Sequence, residues 1–271
     1  QFKNIQQKLS ENFRTVDVDL DSGVVDSEVD ILMVLAPKEV NNKQLFALDQ
    51  FLMKGGTVIL ATSPVSVSKS REGFTSENYD SGLNEWLNHY GIEIPKELVL
   101  DESNSGFPAI RKRVVQGLTI KEPYLAPYPF FVDVRNAGLN QDNPITSGLD
   151  QITMPWVSPI IINEQKTQNK KVVHLITSSN KSWRTTNTDI DPDRVTHPEY
   201  GFPISDKRES SILAAMVQGQ FASYFAGKPS PLIQVKENKK ELEEQDSASS
   251  EEEDKEKEEE KIGMVTSVID K

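Results

Sequence analysis

Between residues 30 and 64 the apolar positions fall into three successive patterns. Residues 31–36 (ILMVLA) form a short continuous apolar run, the pattern of a parallel strand covered on both faces. Pro37 ends it. Asn41 then occupies an N-cap position with Gln44 three residues on, the spacing of a capping box, and Leu45, Leu48 and Leu52 follow at helical intervals. Gly55 and Gly56 stop that helix, because the position after a helix favours a left-handed residue without a Cβ. Residues 57–61 (TVILA) return to a β-branched apolar run. Two strands joined by a helix of this length make a βαβ unit, which is nearly always right-handed.

The flanking sequence continues the alternation of elements. Phe2, Ile5, Leu9 and Phe13, three or four apart, predict an amphipathic helix, and the alternation of Val16, Val18 and Leu20 predicts a half-exposed edge strand. Leu83, Trp86, Leu87 and Tyr90 predict a second helix ending at Gly91. Strands are expected at 92–101, 114–120, 130–134, 152–156, 158–163 and 171–177, the last (KVVHLIT) being the clearest, with a loop at 102–112. Pro123, Pro127 and Pro129 exclude helix from 124–129, which reads as an extended surface loop. Residues 177–202 are a long polar stretch around Trp183, and 211–224 hold a buried strand at 212–217 followed by Phe221, Tyr224 and Phe225. The fold class expected is α/β, an open and mostly parallel sheet with flanking helices plus an additional β-rich part. Residues 1–232 form one domain, with a βαβ core at 1–122 and its β-rich continuation at 123–232.

Composition narrows the chemistry. The chain of 271 residues has no cysteine, which removes disulfides, thiolate metal sites and cysteine nucleophiles. No apolar run reaches the roughly 20 residues that span a bilayer. The net charge of −12 is concentrated: residues 236–261 hold thirteen acids and six bases, more than half of the imbalance. That run reads as an acidic low-complexity linker at 233–261. Without a basic stripe, nucleic-acid binding is not expected, since phosphate neutralisation supplies most of that affinity. Residues 262–269 turn apolar again and read as the start of a following element at 262–271. With the abrupt helical start, this leads to the expectation of a soluble portion of a longer protein.

Motifs for catalysis are absent. There is no G-x-S-x-G elbow, no Walker A and no G-x-G-x-x-G. His89, His174 and His197 share no metal-type spacing, and His174 in a strand reads as a core or half-buried imidazole. Ser63 follows a central strand, where amidotransferase-like sheets place a nucleophile, but Pro64 removes the backbone N–H that an oxyanion hole would use there. In open α/β sheets ligands bind beyond the carboxyl ends of the strands. The candidate ligand-binding residues are therefore Pro37, Thr62 and Ser63 on that rim, with Trp183 as a stacking or lid residue. No catalytic residue, metal site or cofactor is assigned.

The order of motifs resembles a known family. The strand-Pro-helix-Gly-Gly-strand unit at 31–61, N-P-I-T-S-G-L at 143–149, L-I-T-S-S-N-K-S-W at 175–183 and G-Q-F-A-S-Y-F-A-G-K at 219–228 resemble the auxiliary domain of ABC-type transport systems linked to bacterial gliding motility. The resemblance implies a flavodoxin- or amidotransferase-like α/β domain without known catalytic residues, lying outside the cytoplasmic membrane beside a permease and an ATPase. Membrane contact would come only through tethering segments outside this chain. The function expected is a non-enzymatic extracytoplasmic binding module of such a system. A degenerate amidotransferase- or hydrolase-like enzyme is the alternative, and a glycan-binding module using Trp183 and the aromatics of 124–131 is a third. Deleting residues 236–261 is expected to leave the melting temperature nearly unchanged in a thermal scan; a large drop would show that the run packs.

Overall fold

The computed structural model describes residues 2–69, 74–115, 118–233 and 268–269; the acidic run expected to be a linker lies outside them. In chain order the elements begin with α1 (Lys3–Ser10), β1 (Ile31–Leu35), α2 (Asn42–Met53), β2 (Thr57–Ala61), β3 (Val65–Lys69), β4 (Phe74–Asn78) and α3 (Asn84–His89). Next come β5 (Ile92–Glu93), β6 (Leu98–Leu100), β7 (Asn104–Val115), β8 (Leu118–Arg135), β9 (Gln151–Pro155), β10 (Ile161–Ile162) and α4 (Glu164–Thr167). The series closes with β11 (Lys170–Thr177), β12 (Trp183–Thr185), β13 (Ile212–Gly219), β14 (Phe221–Ala222) and β15 (Val268–Ile269). The chain divides into two compact units, one of residues 1–34, 40–60 and 221–271 and the other of 35–39 and 61–220.

The first unit is built on α2. Asn41 accepts from the backbone N–H of Lys43 and Gln44 while the Gln44 side chain accepts from Asn41 N–H, the capping box read from the sequence. Gly55 takes φ 90° after the helix, as a C-terminal stop requires. Asp49 faces inward with no exposed surface, and its carboxylate accepts from the Ser223 hydroxyl and the Tyr224 N–H. Phe225 meets Phe46 edge-on at 5.2 Å. Thr57 N–H bonds to Asp30 O, and Ala36 N–H to Ala61 O. Both contacts advance in the same direction along the two strands, so β1 and β2 pair in parallel and the βαβ unit is real.

The second unit holds two apolar clusters. One gathers Leu98, Leu100, Tyr128, Phe130, Trp183 and Phe202; the other gathers Val99, Val132, Val134, Leu175, Ile176 and Leu213. Alternate residues of the short strand β6 feed both clusters, a consequence of the two-residue side-chain period. The sheets here are small and antiparallel: β3 with β4, β7 with β8 and β8 with β9, β10 with β5, β11 with β13 and β12 with β6.

The expected open, mostly parallel, flavodoxin- or amidotransferase-like sheet is therefore wrong. The fold is β-rich, and β1–β2 is a two-stranded sheet with no third strand among the described residues. A parallel neighbour needs a crossover of about a dozen residues or more, and among the described helices only α2 has that length. Nor is β1 covered on both faces: Leu32 and Val34 are buried whereas Ile31 and Met33 are exposed. The edge strand expected at 16–20 does not form. Asp19 accepts from Asp21 N–H and Gly23 turns left-handed, so local bonding wins over the alternating pattern. The loops expected at 102–112 and 124–129 are instead the ladder of β7 and β8. Pro108, Pro123 and Pro127 fall on pairs of one parity (Pro108 with Leu125, Ile110 with Pro123, Gly106 with Pro127). They can share the positions whose N–H groups point away from the ladder, where proline removes no bond.

Replacing Asp49 by alanine leaves the Ser223 hydroxyl and the Tyr224 N–H without this acceptor in a dry interior. The Asp49→Ala chain is expected to lose about 2–4 kcal/mol in urea unfolding, and Asp49→Asn clearly less.

Candidate functional site

The residues expected to bind a ligand do not converge. Pro37, Thr62 and Ser63 sit half-buried after β1 and β2, but each rim group with a visible partner bonds within the fold. Tyr79 donates its phenol to the carbonyls of Ala36 (2.7 Å) and Pro37 (2.5 Å), and Glu39 N–H bonds to Asp80 O. Burial, with Glu39 nearby, pushes the Tyr79 phenol above its ordinary value, so it stays a neutral donor. Ala36 and Glu39 both take left-handed backbone (φ 45° and 50°), a strain carried by this turn around Pro37. The Ser63 hydroxyl shares a hydrogen bond with Ser158 at 3.3 Å and accepts from Val65 N–H at 3.2 Å. Ser63 is a turn-former here, in keeping with the block that Pro64 places on an oxyanion hole.

Trp183 lies in the core, 2% exposed, and neither stacks on a solvent face nor lids a pocket. Its indole N–H has no partner among the described residues, and the Arg208 guanidinium stands 5.8 Å from its ring centre. The motif around it is structural. Asp101, fully buried at the end of β6, accepts from Ser179 N–H and Ser179 Oγ–H and from Ser103 N–H. Beside it, the Lys181 ammonium (2.9 Å) and the Arg208 guanidinium hold Glu102, in that order of effect, and lower its carboxyl below the ordinary 4.5. Of the aromatics considered for glycan stacking, Tyr128 and Phe130 are buried, and Tyr124 and Phe131 are half-buried. Tyr128 donates to Ile190 O, and its phenol is pushed up to about 12 by burial.

The structure also contains a concave site that sequence reasoning missed. A cavity of about 730 Å³ opens beside β11, lined among others by Asn136, Asn140, Asp142, Asp150, His174 and Thr177. Asn140 anchors it, donating its side-chain amide to His174 O and its backbone N–H to Leu175 O. Thr146 of the N-P-I-T-S-G-L motif donates to Asn140 O at 2.6 Å and is buried, so this motif is a clamp on the cavity wall. Gly138 is required by close approach, since a Cβ there would stand 2.7 Å from Thr177 O. His174 is exposed on that wall rather than half-buried, because β11 directs Leu175 inward and its neighbour outward. The signal was present in the alternation V-H-L, but a single strand gives no sign of which face a distant loop will cover. The site offers carboxylates, amides and one imidazole, a set suited to binding hydroxyls or cations. Among the described residues no group of three His, Asp or Glu side chains has metal-holding geometry.

Residues 1–265 match the family described as an ABC-type uncharacterized transport system. The chain belongs to that family. A protein of Borreliella burgdorferi, itself described only as uncharacterized, is 20% identical over 202 residues, which cover 73% of this chain and 37% of the relative. The chain thus spans little more than a third of the length of the relative it matches. Membership supports the transport part of the resemblance read from the motifs; neither motility nor an amidotransferase likeness belongs to the match.

In this transport-family chain the Glu102 contacts carry a testable pH dependence. A carboxyl held below its unfolded value favours the folded state at pH above that value, and the contribution fades as pH falls through the folded value. Glu102→Gln is therefore expected to lower the melting temperature by about 1–3 °C near neutral pH. The difference from the parent chain should shrink towards zero as thermal scans are taken below the carboxylate range.

Proposed function

We propose that this chain is a non-enzymatic, extracytoplasmic auxiliary module of an ABC-type transport system, associated with the permease and ATPase subunits of that system. The observation that carries the non-enzymatic part is the state of the rim. Ser63, the hydroxyl expected from the sequence as a nucleophile position, is engaged by the Ser158 hydroxyl and Val65 N–H. Family membership over residues 1–265 supports the transport context. The extracytoplasmic location and a link to gliding rest on the motif order that resembles the motility-linked members. The polar cavity beside β11 is a binding feature in this reading.

Two measurements on the same tagged chain check it. The chain is expected to co-purify with detergent-solubilised permease and ATPase, equally well with Ser63→Ala; failure to co-purify with either subunit counts against the association. The chain has no cysteine, so Val195→Cys, at a position 93% exposed, gives a single reporter. Labelling of that thiol by a membrane-impermeant maleimide in cells with an intact inner membrane is expected. Labelling only after lysis would place the module inside.

A further inference from the structure

The longest ladder of the second unit leaves the body of the fold as a two-stranded arm. β9 pairs with β8 only at residues 131–135, whereas β7 and β8 pair from Phe107 with Ala126 out to Val115 with Leu118. Phe107 and Ala126 still pack into the body; beyond them, at about 3.3 Å per residue, the arm runs about 23 Å with no third strand along it among the described residues. A lone two-stranded ribbon is marginal in water. This one also exposes large apolar side chains: Ile110 (69%), Val114 (70%) and Leu125 (69%) on one face, Leu118 (71%) and Ile120 (49%) on the other.

The charge at the same level has one sign. Residues 110–115 and 118–121 contain Arg111, Lys112, Arg113 and Lys121 and no acid, in a chain of net charge −12.

We propose that the outer part of the β7–β8 arm docks on an anionic lipid surface. Apolar side chains on both faces fit a medium that surrounds the ribbon, whereas a protein groove would cover one face. The exposed basic side chains of Arg113 and Lys121 match the phosphates of the headgroup layer. A ribbon of two strands is not a closed barrel, which keeps it at the hydrated boundary and out of the hydrocarbon centre. The acidic remainder of the chain is repelled by the same surface, which leaves the arm as the part that touches. This differs from the expectation that membrane contact comes only through segments outside the chain.

Co-sedimentation with vesicles tests the proposal on the full chain. Vesicles of phosphatidylcholine with about one third phosphatidylglycerol are expected to bind it, and pure phosphatidylcholine much less, with binding falling as salt rises. Lys121→Glu should weaken binding at least about fivefold, and Arg113→Glu with Lys121→Glu at least about twenty-five-fold. Both side chains are exposed, so unchanged melting temperatures are expected for these variants. The chain has three tryptophans of its own, so Leu118→Trp is read as the difference from the parent chain, and that added emission should shift to the blue on anionic vesicles, the sign of entry into the apolar boundary. No binding to the anionic vesicles overturns the proposal, as does binding indifferent to both charge reversals. Loss of co-purification with permease or ATPase in these variants, without vesicle binding by the parent chain, makes the arm a protein contact and overturns it as well.

Discussion

Asp101 has no exposed surface, yet it stands where β6 gives way to β7, and its two carboxylate oxygens take up three donors from Ser103 and Ser179. A buried carboxyl group is tolerated in the interior when its oxygens are filled in this way. The consequence spreads along the chain, because Ser179 opens the turn that delivers Trp183 into one apolar cluster, while β11 just before it delivers Leu175 and Ile176 into the other. The neighbouring bonds of Ser178 with Ser182 and of Ser182 with Glu209 O extend the same polar seam. A hydrophobic residue at 101 would take this acceptor away from the N–H and Oγ–H of Ser179 and the N–H of Ser103.

How much of this was legible depended on how local the cause was. The capping box of α2, the stop at Gly55 and the apolar strand at 171–177 were readable because each depends on residues close in sequence. The sheet topology was not. The continuous apolar run of β1 signals burial on both faces, but Ile31 and Met33 face outward, since the number of strands beside β1 is decided by connections far along the chain. Prolines 123, 127 and 129 argued for a loop until the pairing showed the parity of those in the ladder, which no single strand reveals. For the site, the rim residues Pro37, Thr62 and Ser63 lie where expected but serve the turn. Trp183, a candidate lid, is core, and the polar cavity depends on a loop at 139–150 closing over β11.

The proposed contact role rests on these commitments more than on any one pocket. The hydroxyl and phenol groups at the carboxyl ends of β1 and β2 are spent on holding segments together, and the concave surface that remains lies elsewhere and is lined by amides and carboxylates. That division suits a part whose work is contact, within a family defined by an ABC-type transport system.

The most direct measurement is ATP turnover by the permease and ATPase of the system reconstituted in vesicles, with and without this chain. A module that works through contact changes the turnover rate, and Ser63→Ala changes it to the same degree as the parent chain. An unchanged rate on adding the chain, or an effect that disappears with the Ser63 hydroxyl, would contradict a non-enzymatic auxiliary role.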